Sequence, residues 1–258
     1  MRLRNIPEDT ATLVSALPIS LHAGKVGALL LHGFADTPRD LGGLGGELER
    51  RGVTVSVPRL PGHGTNGGDF LQSGWRDWLR ASVDAYVDLR ARCLPIHVAG
   101  FSMGGVIAVL LASHFPVARL ALLAPALQAK NRLLPLTPFL SIFAHRIRWP
   151  LTDTAAIGDA DSAVLTREYE GWRYLAQASS LLRLQRMARR ALRGVTSDTL
   201  TVVGDADRSV PLSVIPLIEN GIAAARKRHL VIENGQHGLC AGKDGERAAA
   251  AVVQWFLD

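Results

Sequence analysis

The sequence predicts an α/β protein: a mostly parallel central sheet flanked by helices, with a small helical cap inserted late in the chain. Short, nearly all-apolar runs alternate with segments of helical length. Strands covered on both faces need that unbroken apolar character, and parallel neighbours need a crossover between them. The chain has 258 residues, 48% of them hydrophobic, so one sizeable core can be filled. The rhythm breaks once, between Pro125 and Thr196, which marks the insertion.

A weak strand pattern at residues 19–22 precedes two clear strands, Val26–Leu31 and Val53–Val57. Further strands are expected at residues 96–99, 118–123, 200–203 and 230–232. Helices are expected at residues 38–51, 74–92, 106–114, 212–224 and 245–257. Pro38 suits a first helical turn, with Asp36 or Thr37 as its cap. The irregular stretch contains Pro135, Pro138 and Pro150, shows no strand alternation, and carries a long helical pattern over residues 169–193. The expected organisation is a core of residues 1–125 and 197–258, with residues 126–196 lying over the carboxyl edge of the sheet.

Two cysteines, Cys93 and Cys240, give neither a disulfide framework nor metal-ligand spacing. The stretch from Met1 to Asp9 lacks the apolar segment of a signal peptide, and no apolar run reaches 18 residues, so a cytoplasmic location is expected. Net charge is +6. No helix-turn-helix, RNA-binding or zinc pattern accompanies it, so nucleic acid is not an expected partner.

Gly100-Phe101-Ser102-Met103-Gly104 fits G-x-S-x-G between an apolar strand and an apolar helix. That setting turns a serine into a nucleophile, with glycines leaving room for strand and helix to approach. A serine needs a base and the base needs an orienting acid, here expected in the chain order serine, acid, histidine. His237 sits in a glycine-bounded loop past the last strand, where ligand sites form. His97, His114, His145 and His229 fall within elements or the insertion. Asp205 and Asp207 both follow a strand; Asp207 is the chosen acid, although spacing alone does not separate them. Met103 N–H and Phe34 N–H are the expected oxyanion donors, Gly33 letting the loop turn toward the reacting carbonyl. His32 is expected to brace that loop, and the Pro61-Gly62-His63-Gly64 segment to form a structural turn beside the site.

Several segments resemble bacterial monoacylglycerol lipases and small carboxylesterases of the α/β-hydrolase superfamily. They are Leu-Leu-Leu-His-Gly-Phe-Ala-Asp-Thr-Pro (29–38), Pro-Arg-Leu-Pro-Gly-His-Gly-Thr (58–65), Trp-Arg-Asp-Trp (75–78) and Gly-Phe-Ser-Met-Gly-Gly (100–105). Gly-Asp-Ala-Asp-Arg-Ser-Val-Pro (204–211) resembles the family's acid motif, which places the acid at Asp207, and Gln-His-Gly (236–238) resembles its histidine motif. The resemblance implies a serine carboxylester hydrolase acting on short- to medium-chain acyl esters, without metal or organic cofactor. Thioester hydrolysis, C–C hydrolysis, acyl transfer, or a non-catalytic binding role on the same scaffold are the alternatives.

The resemblance is weak from Ala126 to Tyr174. Family members hold glycerol hydroxyls with a cap carboxylate, for which Glu168 and Glu170 are candidates here, although the residues nearer the matching helix are apolar or basic. The apolar, proline-broken stretch from Leu133 to Phe143 is expected to line an acyl tunnel, meet a lipid surface, or pack the cap down. Arginines at 173, 183, 186, 189, 190 and 193 form a basic face for which an anionic interface is the sharper reading and solvation the simpler one.

Overall fold

The computed structural model describes residues 11–150 and 160–258. The N-terminal segment read for a leader and residues 151–159 of the expected insertion lie outside the described residues. The strands are β1 (Ile19–Leu21), β2 (Val26–Leu31), β3 (Val53–Val57), β4 (Ile96–Phe101), β5 (Arg119–Leu123), β6 (Arg146–Arg148), β7 (Trp172–Tyr174), β8 (Asp198–Gly204) and β9 (Lys227–Ile232). The helices are α1 (Gly42–Arg50), α2 (Gly67–Gln72), α3 (Trp75–Arg90), α4 (Met103–Ala112), α5 (Thr137–Phe143), α6 (Ala160–Leu165), α7 (Leu175–Ala191), α8 (Val214–Gly221) and α9 (Gly242–Leu257).

Seven strands pair in the order β1-β3-β2-β4-β5-β8-β9. Only β1 is antiparallel, which makes the sheet mostly parallel as expected. Side chains alternate across it. Leu29, Leu31, Val98, Leu120 and Leu122 pack under α3, α4, α7 and α8, while Leu30, Val55, Ala99, Ala121 and Val202 pack under α1 and α9. Every residue of α4 is buried, which explains its unbroken apolar sequence. Truncating a fully buried leucine such as Leu122 to alanine costs ~2–5 kcal/mol.

Several boundaries differ from expectation for physical reasons. β9 begins at Lys227, three residues before its apolar part, because Lys227, Arg228 and His229 lie exposed on an edge strand. Charges there discourage pairing with another chain. Thr37 forms a capping box with Asp40 ahead of a 3-10 turn over Pro38–Leu41, so the expected helix at 38–51 is a turn followed by α1. The short helix α2 carries no periodic signal and is absent from the expected elements.

The stretch between β5 and β8 also departs from the expected absence of strands. β6 and β7 form a two-stranded antiparallel ribbon, so the helical pattern from Tyr169 is interrupted: a π-helical turn over Thr166–Glu170 ends ahead of β7, and the long helix starts at Leu175. The ribbon lacks period-two hydrophobicity because cation–π stacking accompanies it instead. The Arg146 guanidinium lies 4.1 Å from the Trp172 ring centre, and that of Arg173 lies 4.5 Å from Trp149. On α7, Leu182, Leu184 and Ala188 are buried. Two polar side chains join them: Gln177 donates to the Leu71 and Ser73 carbonyls, and Gln185 is buried nearby.

Candidate active site

Ser102 occupies the turn between β4 and α4 with φ 51° and ψ −111°, a conformation side-chain-bearing residues rarely adopt. Such strain costs ~1–3 kcal/mol and persists only where surroundings enforce it. The Ser102 N–H donates to the Leu123 carbonyl at 2.9 Å, and its carbonyl accepts from Ala126 at 3.1 Å and Val106 at 3.3 Å. A Cβ on Gly100 would overlap the Gly104 carbonyl, and one on Gly104 would overlap the Leu31 carbonyl. The two glycines therefore allow strand and helix to cross at the separation that holds Ser102 in place.

The loops after β8 and β9 bring Asp207 and His237 to the same place. His237 Nε2 lies 2.9 Å from Ser102 Oγ, and His237 Nδ1 lies 2.7 Å from Asp207 Oδ2. Asp207 is almost fully buried, while Asp205 is exposed and contributes a backbone N–H to the Ile232 carbonyl. Burial opposes the charge on Asp207. Hydrogen bonds from His237 and from the Val210 and Ser209 amides outweigh it, holding the carboxyl below its ordinary value. An ionised carboxylate only accepts, so His237 carries its proton on Nδ1 and turns the Nε2 lone pair toward the serine hydroxyl.

Phe34 follows β2, and Met103 is the first residue of α4. Among the described residues neither amide N–H has an acceptor within the protein, as the first turn of a helix leads one to expect for Met103. His32 braces the Phe34 loop. Leu60 N–H donates to its Nε2 at 3.1 Å, so its proton sits on Nδ1 and is donated to the Gly33 carbonyl at 3.0 Å. Burial lowers its pKa to about 4, so the ring is neutral near neutral pH. Gly62 and Gly64 both have positive φ, as the turn beside the site requires, and His63 between them is buried.

Sequence reasoning missed how aromatic rings knit these loops together. Phe34 meets Phe70 and Trp78 edge-on at 5.2 Å and 6.0 Å. Tyr169, from the stretch between β5 and β8, packs on Phe70 and donates its hydroxyl proton to the Gly62 carbonyl at 2.9 Å. Asp36 likewise carries no sequence signal beyond that of a helix cap. Its carboxyl is raised well above the ordinary value by burial, then by the charges of Asp40 and Glu170, against a hydrogen bond from Gly33. Of the two glutamates weighed for a glycerol contact, Glu168 accepts from Gly67 N–H at 3.1 Å and pairs with Arg167 at 3.2 Å. Glu170 is exposed, with its charge felt at Asp36 in the Phe34 loop.

The strand order, with its antiparallel edge and a strained serine turn after the fourth strand, defines an α/β-hydrolase fold. Residues 28–254 match the model of the Alpha/beta hydrolase family, and the chain belongs to that family. It is 29% identical over 256 residues to a thermostable monoacylglycerol lipase from Bacillus sp. (strain H-257), covering 96% of this chain and 97% of that protein. A structure from a study of LipS and LipT, two metagenome-derived lipolytic enzymes, superposes with a TM-score of 0.85 at 26% identity over 96% of this chain and 99% of that one. The monoacylglycerol lipase of Paleococcus ferrophilus shares the fold, with a TM-score of 0.74 at 16% identity over 93% and 97% of the two chains. The chain is thus a hydrolase of the lipase and esterase type. Among the described residues, no helix is long and apolar enough to cross a membrane.

Proposed function

We propose that the chain is a serine carboxylester hydrolase that cleaves short- to medium-chain acyl esters through Ser102, His237 and Asp207. The observation that carries this reading is the continuous hydrogen-bonded path from Ser102 Oγ through the His237 ring to Asp207. As Oγ attacks the ester carbonyl, its proton passes to His237 Nε2, and Asp207 steadies the resulting imidazolium. The carbonyl oxygen gains negative charge, which the N–H groups of Phe34 and Met103 stabilise by hydrogen bonding. The tetrahedral species collapses, the C–O bond to the alcohol breaks, and His237 returns the proton to the leaving oxygen. Water then attacks the acyl-serine by the same route, releasing the acid and restoring Ser102. Each step conserves protons between serine, histidine, alcohol and water.

Labelling by a fluorophosphonate, together with hydrolysis of p-nitrophenyl butyrate, tests the proposal. Both should occur in the wild type and both should vanish in Ser102→Ala. Wild-type protein that neither labels nor hydrolyses would defeat it.

Monoacylglycerols are a favoured substrate class within this reading. Glu168 is held by Gly67 and Arg167, whereas Glu170 is the exposed cap carboxylate whose charge reaches the oxyanion loop. That leaves Glu170 to accept hydrogen bonds from glycerol hydroxyls.

A further inference from the structure

The end of α7 carries positive charge that the rest of the protein leaves unanswered. Arg186, Arg189 and Arg190 on α7 and Arg193 in the 3-10 turn Leu192–Gly194 stand at the i, i+3, i+4 and i+7 positions. Cations suit the last turn of a helix. Four on one face, however, repel one another. Arg189 is half-buried, and burial, then the charge of Arg186, both work against its own charge. Among the described residues, the arginines that pair with carboxylates are Arg50, Arg51, Arg80, Arg167, Arg226 and Arg228, and none of these four is among them.

Three of the four open onto a cleft. Arg189, Arg190 and Arg193 line it together with Ser213, Pro216 and Leu217 at the start of α8. Among the described residues no carboxylate lines it. Its volume is about 710 Å³, within the roughly 300–1,000 Å³ of small-molecule sites. A flat surface such as a bilayer would touch only its rim. The uncharged polar groups of the cleft add donors. Ser213 Oγ donates to Gln128 Oε1 at 2.7 Å, which leaves the Gln128 NH2 group without an acceptor among the described residues. Asn220 supplies a second, exposed carboxamide. Guanidinium forks match phosphate oxygens two at a time. A phosphate monoester also carries nearly two negative charges at neutral pH, against one for a carboxylate, and so answers three arginines better. Pro216 and Leu217 offer apolar surface beside the charges, which suits an organic group attached to the phosphate.

We propose that this cleft between α7 and α8 binds a soluble organic phosphate ester, with Arg190 and Arg193 forked onto the phosphate and the organic part against Pro216 and Leu217. This does not depend on the ester-hydrolase reading, because its readout is binding. Arg189 stays intact in the test. It donates to the Leu127 carbonyl at 2.7 Å, next to Ala126, whose N–H holds the Ser102 carbonyl. Phenyl phosphate is titrated into the full chain at low salt and followed by calorimetry, with thermal unfolding as the folding control. Saturable binding is expected, about tenfold tighter than that of inorganic phosphate because the ring is buried. Arg190→Gln with Arg193→Gln should weaken it at least about tenfold. Arg132→Gln with Arg148→Gln removes the same charge at exposed positions elsewhere and should change it less than about twofold. Phenyl phosphate should also raise the melting temperature of the wild type and of the second variant, and not of the first. No saturable binding, equal losses in the two variants, or equal affinity for inorganic phosphate overturns the proposal. So does binding confined to vesicles that contain phosphatidate, which would assign these arginines to a lipid surface.

Discussion

Replacing Asp207 by asparagine should nearly abolish turnover while leaving the fold intact, and the structure says why. Asp207 Oδ1 accepts two backbone N–H groups, from Ser209 at 2.6 Å and Val210 at 3.0 Å, while Oδ2 faces His237 Nδ1 at 2.7 Å. In Asp207→Asn the side-chain oxygen must stay on the two amides, because turning the NH2 group toward them would leave those donors unpaired at ~1–3 kcal/mol each. The NH2 group then points at His237 Nδ1. Facing a donor, Nδ1 must accept, so the ring proton moves to Nε2, 2.9 Å from Ser102 Oγ. In that tautomer Nε2 has no lone pair for the serine proton. The expected loss in kcat is about 10⁴-fold, or ~5 kcal/mol of transition-state stabilisation. Steady-state hydrolysis of p-nitrophenyl butyrate measures it, with thermal unfolding as a control for folding. Asp205→Asn, at an exposed carboxylate, should change kcat less than twofold, or about 0.4 kcal/mol. Retention of more than about a tenth of kcat by Asp207→Asn, or an equal collapse in Asp205→Asn, would refute the tautomer argument.

Other expectations concern stability and specificity. His97 is buried against Phe256, and burial, aided by Arg119, lowers its pKa from 6.5 to about 4. The unfolded chain therefore binds the proton first on acidification. The stability from keeping this ring neutral is fully present above pH 6.5 and is lost as pH falls toward about 4. The share lost between about pH 7 and pH 5 is ~2 kcal/mol, and His97→Phe should remove it. Urea unfolding at the two pH values measures the difference; an unchanged pH dependence in the variant would count against the assignment. Gly104→Ala should cost ~3 kcal/mol or more, read as a fall in Tm, because its Cβ would meet the Leu31 backbone carbonyl. Glu170→Gln should raise KM for a short monoacylglycerol about tenfold and leave p-nitrophenyl butyrate unaffected. Equal effects on both substrates would remove Glu170 from glycerol recognition.

The strands of the sheet interior were legible because burial on both faces writes the same apolar run in each, as at Val26–Leu31 and Val53–Val57. Ser102 was legible for a related reason. The close crossing of β4 and α4 admits only glycine at 100 and 104, and that requirement leaves a fixed spacing in the sequence. His237 and Asp207 were found from their places after strands, with family resemblance separating Asp207 from Asp205. What stayed hidden depends on contacts between distant segments. Tyr169 reaches Gly62, Gln177 reaches Leu71, and the ribbon of β6 and β7 carries arginine–tryptophan stacks, none of which leaves a local period. Asp36 signalled no more than a helix cap, since only the fold surrounds it with Gly33, Asp40 and Glu170.

The position of α7 bears on how such a protein can be re-engineered. This helix closes the crossover from β5 to the parallel neighbour β8, and its Leu184 and Ala188 are buried in the same layer as α4. Upstream, Lys130 is fastened to the acid loop by two bonds, its N–H to the Ser209 carbonyl and its ammonium to that of Asp207. A graft that exchanged everything between β5 and β8 would therefore remove a sheet-covering helix and loosen the carboxylate beside His237. A chimaera that changes selectivity and keeps its chemistry should be spliced after Lys130 and before Leu175.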